Sequence, residues 1–288
     1  MAIRKAVVSI KGSTTYDGAG VKLQRILGHA EASRFDPFLL LDAFGSNNPA
    51  DYLPGFPMHP HRGIETVTYL IEGSVRHKDS TGAGGVIGPG ALQWMSAGSG
   101  IVHEEMPQES PRGVHGLQLW VNLAAREKMQ PPAYRGAIAA EVPVVPTGSG
   151  TVRVLSGSWG GAKGPIVGVA RSPVYLDIEL KPDSSIQLDV PKGRTAFFYV
   201  MSGEVTTAAA QDLGGGSKSH DYGTCVLLGD GDEAQLIAGA EGARFIIVHA
   251  PPLGEPIAWG GPIVMNTREE LNLAFKELDE GTFIKANG

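Results

Sequence analysis

The 288-residue chain is 42% hydrophobic and 19% charged, enough for two domains of ordinary size around a large buried core. Its net charge of −6, with no cluster of five basic residues, argues against a direct nucleic-acid interface. A lone cysteine, Cys225, excludes an internal disulfide framework; with no leader-like apolar start and no run near the roughly 18 apolar residues of a membrane span, it points to a cytoplasmic protein, a nuclear location staying open.

Glycine (40) and proline (20) favour many short strands joined by turns over long helices. The most informative stretch is His59-Pro60-His61, followed later by His103-Glu104-Glu105. In an extended strand, positions i and i+2 share a face. Two such strands side by side would aim three imidazoles and one carboxylate at one point. A helix would need ligands three or four apart. Strand patterns run over Glu65–Val75, where Val67, Tyr69 and Ile71 alternate with Thr66, Thr68 and Leu70. They recur over His115–Leu123, with Leu117, Leu119 and Val121 on one face, and at Val174–Leu180, Ala196–Val200 and Phe245–Val248. Turns are expected at Gly88-Pro-Gly90, Pro182-Asp183, Gly193 and Gly229-Asp-Gly231. The linker-like stretch 142–151 divides the chain into an expected N-terminal domain, 1–141, and a C-terminal domain, 142–288. Near the end, Thr267-Arg-Glu-Glu270 has capping-box spacing, Leu271, Phe275 and Leu278 share a helical face, and Gly281 can close it. This predicts a helix over 268–279, packed against a sheet.

The two halves repeat. Tyr69-Leu-Ile-Glu-Gly73-Ser-Val75 matches Tyr199-Val-Met-Ser-Gly203-Glu-Val205, and the same offset puts Arg62-Gly63 on Lys192-Gly193. After one gap, Gly88-Pro-Gly90 and Ala97-Gly98 fall on Gly229-Asp-Gly231 and Ala238-Gly239. Through this alignment His59 falls on Asp189, His61 on Pro191, His103 on Arg244 and Glu105 on Ile246. Turn glycines persist while all four candidate ligands differ. One lost function explains that more simply than four independent losses. A single metal site in the N-terminal half is therefore expected.

A lone histidine is most often satisfied in the core or at the surface, and His29, His77, His220 and His249 are read so. His115, inside an apolar strand, stands between a pocket role and a structural one. His59, His61, His103 and Glu105 together read as a metal site. Glu65 shares strand parity with His61 and competes for the carboxylate role. Without a cysteine pair, a thiolate zinc site is excluded. Imidazoles with a carboxylate suit Fe(II), and also Mn, Ni, Co, Cu or Zn. Histidines plus one carboxylate with open positions is the pattern of non-haem iron oxygenases, so iron is expected.

At these residues the chain resembles the pirin family of the cupin superfamily. The resemblance rests on Asp36-Pro-Phe-Leu-Leu-Leu-Asp42, Gly55-Phe-Pro-Met-His-Pro-His-Arg-Gly63, Gly90-Ala-Leu-Gln-Trp-Met-Ser-Ala-Gly98 and Gly100-Ile-Val-His-Glu-Glu-Met-Pro107. It continues through His115-Gly-Leu-Gln-Leu-Trp-Val-Asn-Leu123, Glu127-Lys-Met129 and Gly261-Pro-Ile-Val-Met-Asn-Thr267, nearly end to end. It implies an all-β bicupin: two jelly-roll-type β-barrels with a short C-terminal helix, the metal in the N-terminal barrel. It implies one Fe(II) held by His59, His61, His103 and Glu105, which favours Glu105 over Glu65. It implies quercetin 2,3-dioxygenase-like cleavage of a flavonol with dioxygen, Glu105 serving as base and Arg62 and Gln118 as candidate substrate contacts. Other family members act as iron-dependent co-regulators through protein partners, so a non-catalytic iron-binding regulator is the alternative. Three positions depart from the pattern: Gln93 where cupins in general place a histidine, Ser99 where many pirins carry a basic residue, and Met58 where some carry an acid.

Overall fold

The computed structural model describes residues 1–207 and 219–285. In chain order, β1 (Ala6–Lys11) precedes β2 (Ser13–Asp17), β3 (Val21–Leu27) and β4 (Phe38–Ser46). The short helix α1 (Pro49–Tyr52) leads to β5 (Phe56–His61), β6 (Ile64–Glu72), β7 (Val75–Asp79) and β8 (Gly84–Ile87). Then come β9 (Leu92–Ser96), β10 (Ile101–Pro107), β11 (Val114–Asn122) and β12 (Ala133–Ala137). Next are β13 (Val144–Thr147), β14 (Gly150–Ser156), the brief pair β15 (Ser158–Trp159) and β16 (Ala162–Lys163), β17 (Val174–Leu180) and β18 (Ser185–Asp189). They are followed by β19 (Thr195–Thr207), β20 (Ser219–Asp221), β21 (Thr224–Leu228) and β22 (Glu233–Ala250). Last are β23 (Ala258–Gly260), β24 (Ile263–Met265) and helix α2 (Arg268–Asp279). None of the helices described is long and apolar enough to cross a membrane.

Two compact units form. One comprises residues 13–141 with the chain from 253 onward; the other comprises residues 1–12 with 142–252. The chain ends thus differ from the expected contiguous halves, 1–141 and 142–288. Strand pairing is the reason. β1 hydrogen-bonds β21, from Ala6 opposite Leu228 to Lys11 opposite Thr224. Ile263 bridges Arg62, and the Val264 amide donates to the Arg62 carbonyl at 3.0 Å.

The unit around residues 13–141 has a seven-stranded antiparallel sheet, in the order β12-β9-β6-β11-β4-β3-β2, and a four-stranded one, β5-β10-β7-β8. The other unit is a branched sheet along β1-β21-β19-β22-β17-β14-β13, with β18 paired to β22 and β20 to β19. Both are jelly-roll-like, as expected, although their sheets are open rather than closed barrels. The run expected over 65–75 breaks at Gly73, whose φ of +74° turns β6 into β7. A Cβ at Gly73 would collide with the Gly113 carbonyl.

Side-chain alternation sets the inner faces. On β11, Leu117, Leu119 and Val121 are buried in one layer, while Gln118 and Trp120 face the opposite way into a cleft. Helix α2 has the expected bounds and cap. The Thr267 hydroxyl accepts from the Glu270 amide at 3.1 Å, and Glu270 accepts from the Thr267 amide at 3.0 Å. Leu271, Ala274, Phe275 and Leu278 pack with Ile263, Met265 and Phe283.

The pairing registers correct the second part of the repeat alignment. His103 lies opposite His59 in β10–β5, and Glu233 lies opposite Asp189 in β22–β18. The counterpart of His103 is therefore Glu233, not Arg244, and that of Glu105, two residues on, is Gln235. Ile246 pairs with Tyr199 as Leu117 pairs with Tyr69, so Ile246 is the counterpart of Leu117 instead. Sequence matching put the gap in the wrong place because β22 runs as one continuous strand where the first copy has both β10 and β11. The corrected counterparts Asp189, Pro191, Glu233 and Gln235 still offer no imidazole.

Lys128 fastens the first unit internally. Its buried ammonium donates to the Gly63 carbonyl (2.8 Å), the Asn122 side chain (2.6 Å) and the Val264 carbonyl (2.9 Å). Three acceptors match the three hydrogens of the charged form. Lys128→Met keeps the apolar stem and strands all three acceptors. We expect a loss of about 3 kcal/mol in denaturant unfolding. A loss below about 0.5 kcal/mol would show the amine to be dispensable.

Candidate metal centre

The four-stranded sheet supplies the histidines. In the antiparallel pair β5–β10, His103 faces His59 and Ile101 faces His61. Period-two alternation turns His59 and His61 into the same cleft. One ring nitrogen from each of His59, His61 and His103 lies within 4.8 Å of the other two. His103 and His61 are buried and His59 is half-buried.

The ring partners fix two tautomers. His59 Nδ1 lies 2.9 Å from the Pro57 carbonyl oxygen, and His61 Nδ1 lies 3.0 Å from that of Pro262. A carbonyl only accepts, so each Nδ1 carries the hydrogen. Both Nε2 atoms then present lone pairs, and they are 3.1 Å apart. In two neutral rings, lone pairs facing at that distance repel, and either a shared proton or a metal cation between them relieves the repulsion. Burial, together with adjacent His59, pushes His61 down to about 3. Burial, with His61 and His59 nearby, holds His103 well below the usual imidazole range. Both rings are therefore neutral, the state that binds metal. Neither ring nitrogen of buried His103 has a hydrogen-bond partner, an arrangement that is costly unless a ligand uses them. Two nitrogens bound to one ion at about 2.1 Å and a right angle sit about 3 Å apart. The residues present fit a divalent transition metal.

The carboxylates separate clearly. Glu105 is 7% exposed and lines the cleft beside the histidines, outside the close three-nitrogen cluster. Its Oε1 accepts from the Thr68 hydroxyl at 2.7 Å. The same hydroxyl lies 2.7 Å from Gln118 Oε1. One hydroxyl hydrogen serves one acceptor, so with Thr68 donating to Glu105 the Gln118 amide is satisfied when turned to bring its nitrogen to the hydroxyl. Glu65 is instead committed to the core. It accepts from Trp94 Nε1 at 2.8 Å and from the Ser96 hydroxyl. The left-handed turn at Gly63, φ +78°, lies between β5 and β6, so strand parity does not carry from His61 to Glu65.

Arg62 does not reach the cleft, which corrects the reading of it as a substrate contact. Buried at 2% exposure, it donates to the Ser99 carbonyl (2.7 Å) and the Phe283 carbonyl (2.8 Å). It also pairs with Glu277 at 2.7 Å and lies over the Phe283 ring. Gln118 does line the cleft. His115 contacts Asn47 at 3.0 Å, outside it. His220 meets Ser9, and His249 accepts from Arg194 at 2.7 Å.

Comparison with known proteins follows the same lines. The Pirin family model matches residues 20–121, and the Pirin C-terminal cupin domain matches 175–284. A pirin-like protein of Caulobacter vibrioides is 45% identical over 285 residues, covering 98% of this chain and 100% of that protein. This chain belongs to the pirin family. Human pirin is 41% identical over 275 residues, covering 94% of this chain and 91% of that protein. A crystal structure of quercetin 2,3-dioxygenase from Acinetobacter baumannii superposes with a TM-score of 0.88 at 32% identity, covering 98% of this chain and 99% of that one.

The cleft of this pirin measures about 570 Å³. Beside the histidines it is lined by Phe44, Tyr52, Phe56, Trp120 and Trp259. The Trp120 ring stands edge-on to His61 at 5.0 Å, and Trp259 lies 5.9 Å beyond Trp120. His29, read from sequence as an ordinary histidine, lines the cleft and stacks on Trp259 at 3.9 Å. His77, expected to be an ordinary histidine too, is buried without hydrogen bonds to its ring nitrogens, with Nε2 4.0 Å from Asp79 Oδ2, 5.3 Å from the His103 ring and stacked on Tyr134. The sequence signal for His77 was its position two residues before Asp79 on an alternating strand.

The site predicts one divalent transition ion per chain after loading and dialysis, read by elemental analysis. Metal at about 100 times its Kd should add about 2.7 kcal/mol to stability. His103→Ala should abolish both the stoichiometry and the stabilisation. Unchanged stoichiometry in that variant would remove His103 from the site.

Proposed function

We propose that this pirin is an Fe(II)-dependent dioxygenase that opens flavonol-like rings, with quercetin as the test substrate. The carrying observation is the juxtaposition of three imidazoles, two held neutral by burial, with a Thr68-braced carboxylate, at one aromatic-walled cleft. The 32% identical relative described as a quercetin 2,3-dioxygenase supports the substrate class. His59, His61, His103 and Glu105 would hold the iron. When bound, that ion supplies positive charge that lowers the pKa of a substrate hydroxyl, and redox chemistry toward dioxygen.

The chain's own groups do the rest. Trp120 and Phe56 exclude water and orient a planar ring. Glu105 accepts the proton of the flavonol 3-hydroxyl as general base. Thr68 holds Oε1, so the transfer falls to Oε2. Deprotonation makes the ring electron-rich toward dioxygen, and the proposed products are the opened ring ester and carbon monoxide.

With Fe(II)-loaded protein, quercetin absorbance should fall in step with oxygen uptake. Glu105→Gln should slow turnover by about 10²–10⁴-fold. A variant as active as wild type would refute the base assignment. Thr68→Val, which removes the brace while keeping the shape, should cost about 10- to 100-fold in activity or metal affinity. If the loaded protein consumed no oxygen with any flavonol, the reading as a non-catalytic iron-binding regulator would replace this one.

A further inference from the structure

A line of polar residues crosses five paired strands, and four of them, Thr68, Gln118, Asp42 and Arg25, line the cleft. Gln93 of β9 lies opposite Thr68 of β6, Thr68 opposite Gln118 of β11, Gln118 opposite Asp42 of β4, and Asp42 opposite Arg25 of β3. The neighbouring inward positions are apolar: Val21, Leu23, Leu40, Phe44 and Trp120. Thr68 marks the metal end, because it holds Glu105. Strands are spaced about 4.8 Å apart, so Asp42 lies about 10 Å and Arg25 about 14 Å along that line from Thr68.

At the far end sits a charged group. Arg25 grips Asp42 as a fork, Nε to Oδ1 at 3.0 Å and Nη2 to Oδ2 at 2.7 Å, and Nη2 also reaches Asp17 at 2.7 Å. The Asp42 side chain is 7% exposed. Burial raises its carboxyl to about 6 in spite of the guanidinium, so desolvation of this group is expensive. An apolar pair would serve stability as well there. All three residues line the cleft. Two carboxylates against one guanidinium leave a net negative, acceptor-rich surface.

We propose that Asp17, Arg25 and Asp42 form a second substrate subsite, which binds the hydroxyl-bearing ring at the end of the substrate remote from the metal. The proposal rests on the flavonol reading above and deepens it. Phenolic hydroxyls donate to the Asp42 and Asp17 carboxylates, whereas a carboxylated ring is repelled. The substrate class is thus a neutral planar aromatic with a metal-binding hydroxyl at one end and further hydroxyls at the other.

Binding is read anaerobically in the metal-loaded protein by quenching of Trp120 and Trp259 fluorescence. The probes are quercetin and 3-hydroxyflavone, which lacks the other ring hydroxyls. Wild type should bind quercetin about tenfold more tightly. The double substitution Arg25→Gln/Asp42→Asn removes both charges together, and should weaken quercetin about tenfold while leaving 3-hydroxyflavone within about twofold. Asp17→Asn, at a more exposed position, should weaken quercetin alone and serves if the double variant does not fold. Equal losses for both probes, equal wild-type affinities, or no quenching by either would overturn the subsite. Discrimination without turnover would keep the subsite and defeat the dioxygenase reading; turnover without discrimination would do the reverse.

Discussion

Two imidazole nitrogens, His59 Nε2 and His61 Nε2, face each other across 3.1 Å. Between two neutral rings that contact is repulsive, and around a cation it is favourable, so it suits the cleft to a metal. It exists only because both Nδ1 hydrogens are held by carbonyls. One carbonyl, that of Pro57, belongs to the same strand. The other, Pro262, comes from a segment 201 residues away. The stretch after residue 253 is thus part of the site. Arg62 and Lys128 hold it in place, and Gly63 lets it approach, since a Cβ there would collide with the Val264 carbonyl.

The second unit shows what the same strand pairing does without that arrangement. Asp189 and Glu233 occupy the places of His59 and His103, and Gln187 donates to Glu233 at 2.6 Å. Its interior is closed by Phe198, Phe245, Leu236 and their neighbours. The unit built around 13–141 keeps an open cleft and tolerates buried nitrogens on His103 without partners. Such groups are costly in a core and ordinary at a ligand site. The contrast sets the candidate metal centre in one unit more firmly than any single residue does.

Much of this was legible in the chain, where local rules decide the outcome. Period-two spacing put His59 with His61, and the capping box at Thr267 set the start of α2. Long-range registry was not legible. The gap that placed His103 on Arg244 was chosen by matching glycines, whereas equivalence is set by which strand pairs with which. Parity likewise suggested Glu65, because the reset at Gly63 depends on a backbone turn. The family resemblance suggested Arg62 as a substrate contact, but just past the end of β5 its side chain turns to the Ser99 and Phe283 carbonyls. Arg25 and Asp42 did not stand out because Arg25 is one of three polar residues in β3 and Asp42 follows an apolar run in β4, and only their pairing across the two strands makes them one group.

The most direct test is anomalous diffraction from crystals of iron-loaded protein, with data on both sides of the iron absorption edge. One peak per chain is expected, within bonding distance of His59 Nε2, His61 Nε2, a ring nitrogen of His103 and a carboxylate oxygen of Glu105. A peak elsewhere, or a coordination shell without the two facing Nε2 atoms, would contradict the account.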